Sequence, residues 1–194
     1  MAEALPPIWA MRHGETEWNQ AGRLQGHDDS PLTETGRTQA REAGRRLASA
    51  LTGEALRLAS PSGRTQATAR LVFGPAPFDT DPQLLEIGTG TWTGQRLDDL
   101  AARHPAIFAA SIAYDWYDHA PQGETLAGVA ARVAAFLAAL PARAQGRPVA
   151  IVTHGITLRV LRAQVLGLTL ADETALHFPQ GTIHHLRDGR AELI

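Results

Sequence analysis

The chain has 194 residues, a formal net charge of -2 and no cysteine, which excludes thiolate nucleophiles, disulfides and cysteine-ligated zinc. It has no lysine either, so all 18 of its Lys and Arg cations are arginine, and Schiff-base chemistry and a P-loop lysine are excluded too. The length suits one domain, residues 1–194, and arginines scattered without a basic stripe argue against a nucleic-acid partner.

No stretch approaches the ~20 apolar residues that span a bilayer, and the amino terminus lacks a basic-then-apolar signal pattern. The expectation is a cytoplasmic protein with no membrane partner. Ile8-Trp9-Ala10-Met11 is a short apolar run that reads as a buried strand, stopping abruptly at Arg12-His13-Gly14. A polar loop follows from Glu17 to Pro31, too long for a mere connection, with Asn19, Arg23, Gln25 and Gly26 as its notable members. Thr33 caps a helix running to about Leu51, with Ala40, Ala43 and Leu47 on one face and Gly53 as its stop.

Leu56 to Ser60 reads as a second strand, after which Pro61-Ser62-Gly63 opens a helix carrying Arg64 in its first turn. Free amides and an arginine at a helix amino terminus suit an anion; a surface arginine paired with a carboxylate fits Arg64 equally well. Pro77 to Asp81 is a weak strand. Next, Glu86 follows two leucines and precedes a glycine-rich turn, where desolvation would raise its proton affinity as a general acid requires.

Two short helices broken by Pro105 and an aromatic segment, Tyr114 to Gly123, make residues 95–123 a lid or insertion. The aromatic segment fits a satellite core better than a substrate mouth. Glu124 to Leu140 is a core helix, ended by Pro141. Val149 to Thr153 is a β-branched run that stops at His154-Gly155, echoing the first strand, and a helix follows to Leu166. Asp188-Gly189 then signals a hairpin.

Strands alternating with helices predict an α/β protein, a three-layer α/β/α sandwich with a mainly parallel central sheet. If the two histidine-ending strands are parallel neighbours, their carboxyl ends open on one edge, where such sheets bind ligands. An imidazole whose Nδ1 donates to a backbone carbonyl keeps a nucleophilic lone pair on Nε2, and a nearby cation keeps the ring neutral. Such a ring can attack phosphorus, with Arg12, Arg64 and His154 as the clamp on the phosphoryl oxygens and no metal required.

The run Arg12-His13-Gly14-Glu15-Thr16-Glu17-Trp18-Asn19, then Gly22-Arg23-Leu24-Gln25-Gly26 and Asp29-Ser30-Pro31-Leu32-Thr33-Glu34, closely resembles the signature of the histidine phosphatase superfamily in its phosphoglycerate-mutase-like branch. The likeness continues through Ser60-Pro61-Ser62-Gly63-Arg64, Glu86 with Gly90, Trp92 and Gly94, Pro121-Gly123-Glu124 and Thr153-His154-Gly155. By that resemblance the fold is phosphoglycerate-mutase-like, His13 is phosphorylated, Arg12, Arg64 and His154 bind the phosphoryl group, and Glu86 is the proton donor. Asn19, Arg23, Gln25, Gly26 and Gly155 then contact the phosphate or the rest of a small phosphorylated substrate. No cofactor is implied, and a homodimer stays open. Ala67 stands where the family often has glutamine, and Thr93 where an acidic residue is common. The remaining histidines, 27, 104, 119, 177, 184 and 185, are expected to be structural or at the surface.

The resemblance implies a metal-independent phosphomonoesterase. A phosphoglycerate mutase is the runner-up, because mutases of the family are longer and close over the site. A non-catalytic domain that binds phosphorylated ligands would be expected to have lost the nucleophile or the acid, and both positions are filled.

Overall fold

The computed structural model describes residues 4–174 and 178–194; His177, expected at the surface or in a structural role, lies outside the described residues. From the amino end the elements are β1 (Ile8–Arg12), α1 (Glu17–Gln20), α2 (Glu34–Ala50), β2 (Leu56–Ala59), α3 (Gly63–Phe73), β3 (Asp79–Thr80), α4 (Leu97–Arg103), α5 (Pro105–Ala110), α6 (Leu126–Ala144), β4 (Val149–Thr153), α7 (Gly155–Leu166), α8 (Leu170–Thr174), β5 (Ile183–Arg187) and β6 (Arg190–Leu193). The strands form one sheet in the order β3-β2-β4-β1-β5-β6. The first four in that order are parallel to one another, and β5 and β6 run antiparallel at one edge.

The central strands read as unbroken apolar runs because both faces are covered. Side chains alternate between the two faces. Trp9, Met11, Ala150 and Val152 pack against Ala40, Ala43 and Leu47 of α2 and Ala69 and Val72 of α3. Ile8, Ala10, Val149 and Ile151 meet Val129, Val133 and Phe136 of α6 and Leu158 and Leu161 of α7. The result is the three-layer sandwich expected, in which each large aliphatic side chain removed from water contributes roughly 1.5–3 kcal/mol. By length and composition α6 could cross a membrane, but Val129, Val133, Phe136 and Leu140 along it lie within this core.

Three local departures have simple causes. The loop after β1 begins with a helical turn, α1, because Thr16 and Asn19 form a reciprocal capping box, each side-chain oxygen accepting from the other's backbone N–H at 3.2 Å. Pro141 does not end α6, which continues to Ala144. Its missing N–H falls in the last turn, where Gln145 still donates to its carbonyl at 3.0 Å. And the glutamate expected to open that helix, Glu124, stands outside it, with Thr125 as the cap and Arg132 as its ion partner at 2.8 Å. The predicted hairpin is present, with Asp188 and Gly189 at φ 51° and 69°, the two left-handed positions of a tight turn.

Residues 95–123 hold α4, α5 and a turn at Asp115–His119. They pack as a separate cluster in which Trp92, Leu100, Trp116 and Ala120 are buried, with Leu24 and Phe108 against it.

Candidate active site

Register places the site. Arg12 lies opposite Thr153 in the β1–β4 pair, and Ala59 opposite Val152 in the β2–β4 pair. The next residues, His13, His154 and Ser60, therefore emerge side by side from the carboxyl ends of three neighbouring parallel strands. The two imidazoles meet edge to face, with ring centroids 5.3 Å apart at 66°.

His13 is buried and held from both sides. Its backbone N–H donates to the Thr153 carbonyl at 2.9 Å, and its Nδ1 lies 2.8 Å from the Gly14 carbonyl. A carbonyl only accepts, so Nδ1 carries the proton and Nε2 keeps its lone pair. Burial, and then the charges of Arg12 and Arg64, hold the ring's proton affinity well below the usual histidine range, against the weaker opposing pull of the Gly14 carbonyl. His13 is therefore neutral at neutral pH, with the Nε2 lone pair available. The turn that presents it depends on Gly14 and Gly36: a Cβ on Gly14 would stand 2.3 Å from the Gly36 carbonyl oxygen, so the histidine loop lies directly on the start of α2.

Around Nε2 stand cations with unused donors. Arg64, at 2% exposure, has both terminal nitrogens committed to the preceding loop. Nη1 donates to the Asp28 carbonyl at 2.6 Å and to Asp29 at 2.9 Å, and Nη2 to the Gly26 carbonyl at 2.9 Å. Its Nε is buried without a partner. Arg12 likewise has a buried, partnerless Nε, and burial pushes its guanidinium pKa down against the charge of Glu86. A third buried nitrogen without a partner is Nδ1 of His154, whose Nε2 lies 2.8 Å from the Ser60 hydroxyl. Among the described residues six buried side-chain nitrogens lack a partner, and three of them, on Arg12, Arg64 and His154, gather around His13, an arrangement suited to an anion.

Glu86 is at the same edge, but its surroundings are polar where the flanking leucines suggested an apolar setting. The carboxylate caps α7, accepting from the N–H groups of Ile156 at 3.3 Å and Thr157 at 3.2 Å, and from its own neighbour Ile87 at 3.1 Å. Gly155 opens α7 between two charges: a Cβ there would lie 3.6 Å from the Glu86 carboxylate and 3.7 Å from the Arg12 guanidinium. His27, left as structural or at the surface, braces the other side of Glu86, its Nε2 lying 3.0 Å from the Glu86 carbonyl.

The loop residues divide by what their polar atoms do. Asn19 Oδ1 accepts from Thr16 N–H and from Gln180 at 2.8 Å, which turns the amide nitrogen away from both partners and leaves it for the cavity. Gln25 has its amide committed to Thr16 at 2.8 Å and Ser30 at 3.3 Å, so its side chain holds the loop in shape. Gly26 sits at φ 51°, where a Cβ would stand 2.5 Å from the Thr89 hydroxyl. Arg23 is exposed at the mouth and donates to the Gly94 carbonyl at 2.6 Å.

Arg12, His13, Asn19, Arg23, Gln25, Gly26, Arg64 and Glu86 all line one cavity of about 100 Å³; His154 and Gly155 are not among its lining, His154 lying behind His13 through the ring contact and Gly155 beside Glu86 and Arg12. Roomier clefts lie elsewhere, one of about 540 Å³ along the β5–β6 hairpin, but this small cavity brings a buried imidazole together with two arginines whose Nε atoms have no partner. Two lining residues, Leu24 and Thr89, had no role assigned from the sequence, and a third, Tyr117, belongs to the aromatic segment read as a satellite core in preference to a substrate mouth. Tyr117 stacks on Trp116 at 3.8 Å, so the aromatic segment supplies both a satellite core and a cavity wall. Burial, and then the nearby Glu86, raise the Tyr117 pKa, so the phenol stays protonated at any physiological pH.

Fold and site together define an α/β protein with a buried, neutral imidazole beside two arginines in a small cavity at the carboxyl edge of its sheet. The chain belongs to the histidine phosphatase superfamily (branch 1), whose family model matches residues 8–192. It is 36% identical over 172 residues, 87% of this chain and 79% of the relative, to a protein named probable phosphoglycerate mutase GpmB from Erwinia tasmaniensis. Among solved structures it is similar to YhfR of Bacillus stearothermophilus, with TM-score 0.82, 33% identity and coverage of 97% of this chain and 95% of that one. It is also similar to the alpha-ribazole phosphatase of Shigella flexneri, with TM-score 0.80, 29% identity and coverage of 97% and 94%.

Proposed function

We propose that the chain is a metal-independent phosphomonoesterase that works through a phosphohistidine on His13. The observation that carries this reading is the set of three buried, partnerless nitrogens, Nε of Arg12 and Arg64 and Nδ1 of His154, gathered about an imidazole whose Nε2 lone pair is free. Nε2 of His13 attacks phosphorus in line with the leaving oxygen while the two guanidinium groups and the His154 ring take up charge on the three equatorial oxygens. Glu86 protonates the departing oxygen and then removes a proton from the water that attacks the phosphohistidine, restoring free His13 and inorganic phosphate. These cationic donors supply the charge stabilisation that a metal supplies in other phosphatases, and they would repel a metal ion.

Asn19 and Arg23, with Gly26 and Gly155, complete the substrate contacts; Gln25 acts from behind by holding the loop. The cavity admits a phosphoryl group and little more, which assigns selectivity to the exposed Arg23 and to Leu24 and Tyr117 in the same lining. We read residues 1–194 as one catalytic domain, with residues 95–123 as the insertion that roofs the site. We read its substrates as small phosphorylated metabolites of the cytoplasm, with neither nucleic acid nor membrane as a partner.

The names of the curated relatives favour a second reading, a phosphoglycerate mutase. The structural neighbours favour hydrolysis, since one is titled an alpha-ribazole phosphatase. Incubation with p-nitrophenyl phosphate and a chelator, followed by 3-phosphoglycerate and other phosphorylated metabolites with assay of free phosphate, separates them. Chelator-resistant release of phosphate is expected. Isomerisation of phosphoglycerate without phosphate release would establish the mutase, and no turnover at all the non-catalytic phospho-ligand binder.

A further inference from the structure

His154 has a partner that the mechanism above does not use. Ser60, the first residue after β2, is fully buried, and its hydroxyl lies 2.8 Å from Nε2 of His154. Ser60 is itself fixed on both sides, its N–H donating to the Val152 carbonyl at 3.0 Å and its carbonyl accepting from the Thr65 hydroxyl at 2.8 Å. The imidazole thus has one nitrogen tied to β2 and the other, Nδ1, buried and unpaired.

Burial, and then the charges on Arg64 and the other residues of the site, keep His154 well below the usual histidine range, so the ring is neutral near pH 7 and carries one proton. The position of that proton decides what the ring can do. On Nδ1 it makes a donor for a phosphoryl oxygen; on Nε2 it leaves a lone pair on Nδ1, facing the anion and repelling it.

We propose that Ser60 is a positioning residue that selects the Nδ1–H tautomer of His154 by donating its hydroxyl proton to Nε2. The local hydrogen bonds favour this direction. The Ser60 oxygen already accepts a long contact from the Ser62 N–H at 3.5 Å, and the other acceptor within its reach, the Ser62 hydroxyl, is 3.4 Å away against 2.8 Å for the imidazole. A hydroxyl suits this place because it can reverse: if a bound phosphoryl dianion draws a second proton onto the ring, the same oxygen accepts from Nε2–H with no movement of heavy atoms. Neither alanine nor a carboxylate could serve both states. The inference rests on the reading of the cavity as a phosphoryl site.

The test uses the full chain labelled with ¹⁵N-histidine, the His154 signals being assigned by their loss in His154→Asn. The ring nitrogens report directly which one is protonated. Orthovanadate affinity and p-nitrophenyl phosphate turnover are measured alongside. The wild-type ring is expected to show a protonated Nδ1 and a bare Nε2. Ser60→Ala should lose that pattern and weaken vanadate binding by about tenfold or more, the effect of one hydrogen bond to a charged group, and Ser60→Thr, which keeps the hydroxyl, should restore both. A bare Nδ1 in the wild type overturns the proposal even if neither variant folds, as does a Ser60→Ala protein with unchanged tautomer and vanadate affinity. Failure of the phosphohistidine reading would appear separately, as wild-type turnover in His13→Ala, and would leave the tautomer measurement standing.

Discussion

Replacing each of the two site arginines by lysine separates charge from geometry, and the structure gives the two positions different outcomes. Arg64 spreads two terminal nitrogens over three acceptors, the Asp28 and Gly26 carbonyls and the Asp29 carboxylate, while its Nε faces the site. A single ammonium cannot reach both sides of that fork. Arg64→Lys therefore leaves at least one buried loop carbonyl unpaired, at ~1–3 kcal/mol, and removes one donor from the anion, which in comparable sites lowers kcat by ~10²–10³-fold. Arg12 makes no hydrogen bond to the protein through its buried Nε, and no loop is strung from it. Arg12→Lys should cost a comparable factor in turnover while stability moves by less than ~1 kcal/mol. Urea unfolding and steady-state kinetics with p-nitrophenyl phosphate measure the two quantities on the same samples. Wild-type kcat/KM in Arg64→Lys, or equal destabilisation by both substitutions, would refute the division of labour argued here.

Glu86→Gln should slow alkyl phosphates far more than p-nitrophenyl phosphate, whose leaving group needs no proton; equal losses would count against the acid role. The same variant should lose ~1–2 kcal/mol in denaturant melts, because an amide presents only one oxygen where the carboxylate accepts from the Ile156, Thr157 and Ile87 N–H groups. His184 is buried and accepts from Arg162 at 3.0 Å, with a pKa lowered to about 3 by burial and then by Arg162. A histidine depressed in the fold takes up protons on unfolding, so stability is full above the unfolded pKa near 6.5 and falls as pH drops below it. Between pH 6.5 and 5 the loss from His184 alone is about 2 kcal/mol. His13 and His154, lowered for their own reasons, add to it. His184→Gln keeps an acceptor for Arg162 and should remove one proton from that slope; a flat stability profile between pH 6.5 and 5 in the wild type would contradict the assignment. Gly26→Ala should destabilise and inactivate together, since its Cβ collides with Thr89 and the shift pulls the Gly26 carbonyl from Arg64; unchanged thermal melting would show that the loop yields at no cost.

The parts of the site that could be read from sequence are those whose signal is local. His13 and His154 announce themselves because an apolar strand ends in a reactive side chain, and both strands are covered on two faces. The Arg64 fork was not local: its partners lie 35 to 38 positions earlier, in a loop whose path no periodicity specifies. Glu86 was found for its flanking leucines, yet those apolar neighbours say nothing of the α7 amides, 70 residues later, that hold its carboxylate. Tyr117 was visible as part of an aromatic cluster, and nothing in the run Trp116-Tyr117 told which ring would face the core and which the cavity. Thr16-Glu17-Trp18-Asn19 did carry a legible cap, and α1 could have been read from it.

The same contrast separates the proposed reaction centre from the rest of the cavity. The groups proposed to hold the phosphoryl group are anchored to the sheet or to a helix start: His13 by β1, His154 and Glu86 by the β4–α7 junction, Arg64 by α3. The rest of the cavity lining comes from the loop between Glu17 and Pro31, joined to the turn before residues 95–123 by Arg23 on the Gly94 carbonyl, and from Tyr117, which packs against the main core. Exchanging mouth residues should therefore change which leaving group is accepted without moving the reaction centre. Tyr117→Phe, which keeps the ring stacked on Trp116 and removes only the buried phenol beside Glu86 and Arg12, should alter KM between substrates by several-fold and leave vanadate affinity within about twofold, the result for a phenol that contacts the leaving group and not the tetrahedral oxygens. A loss of vanadate binding in that variant would place Tyr117 inside the phosphoryl clamp and dissolve the boundary between rigid centre and variable mouth.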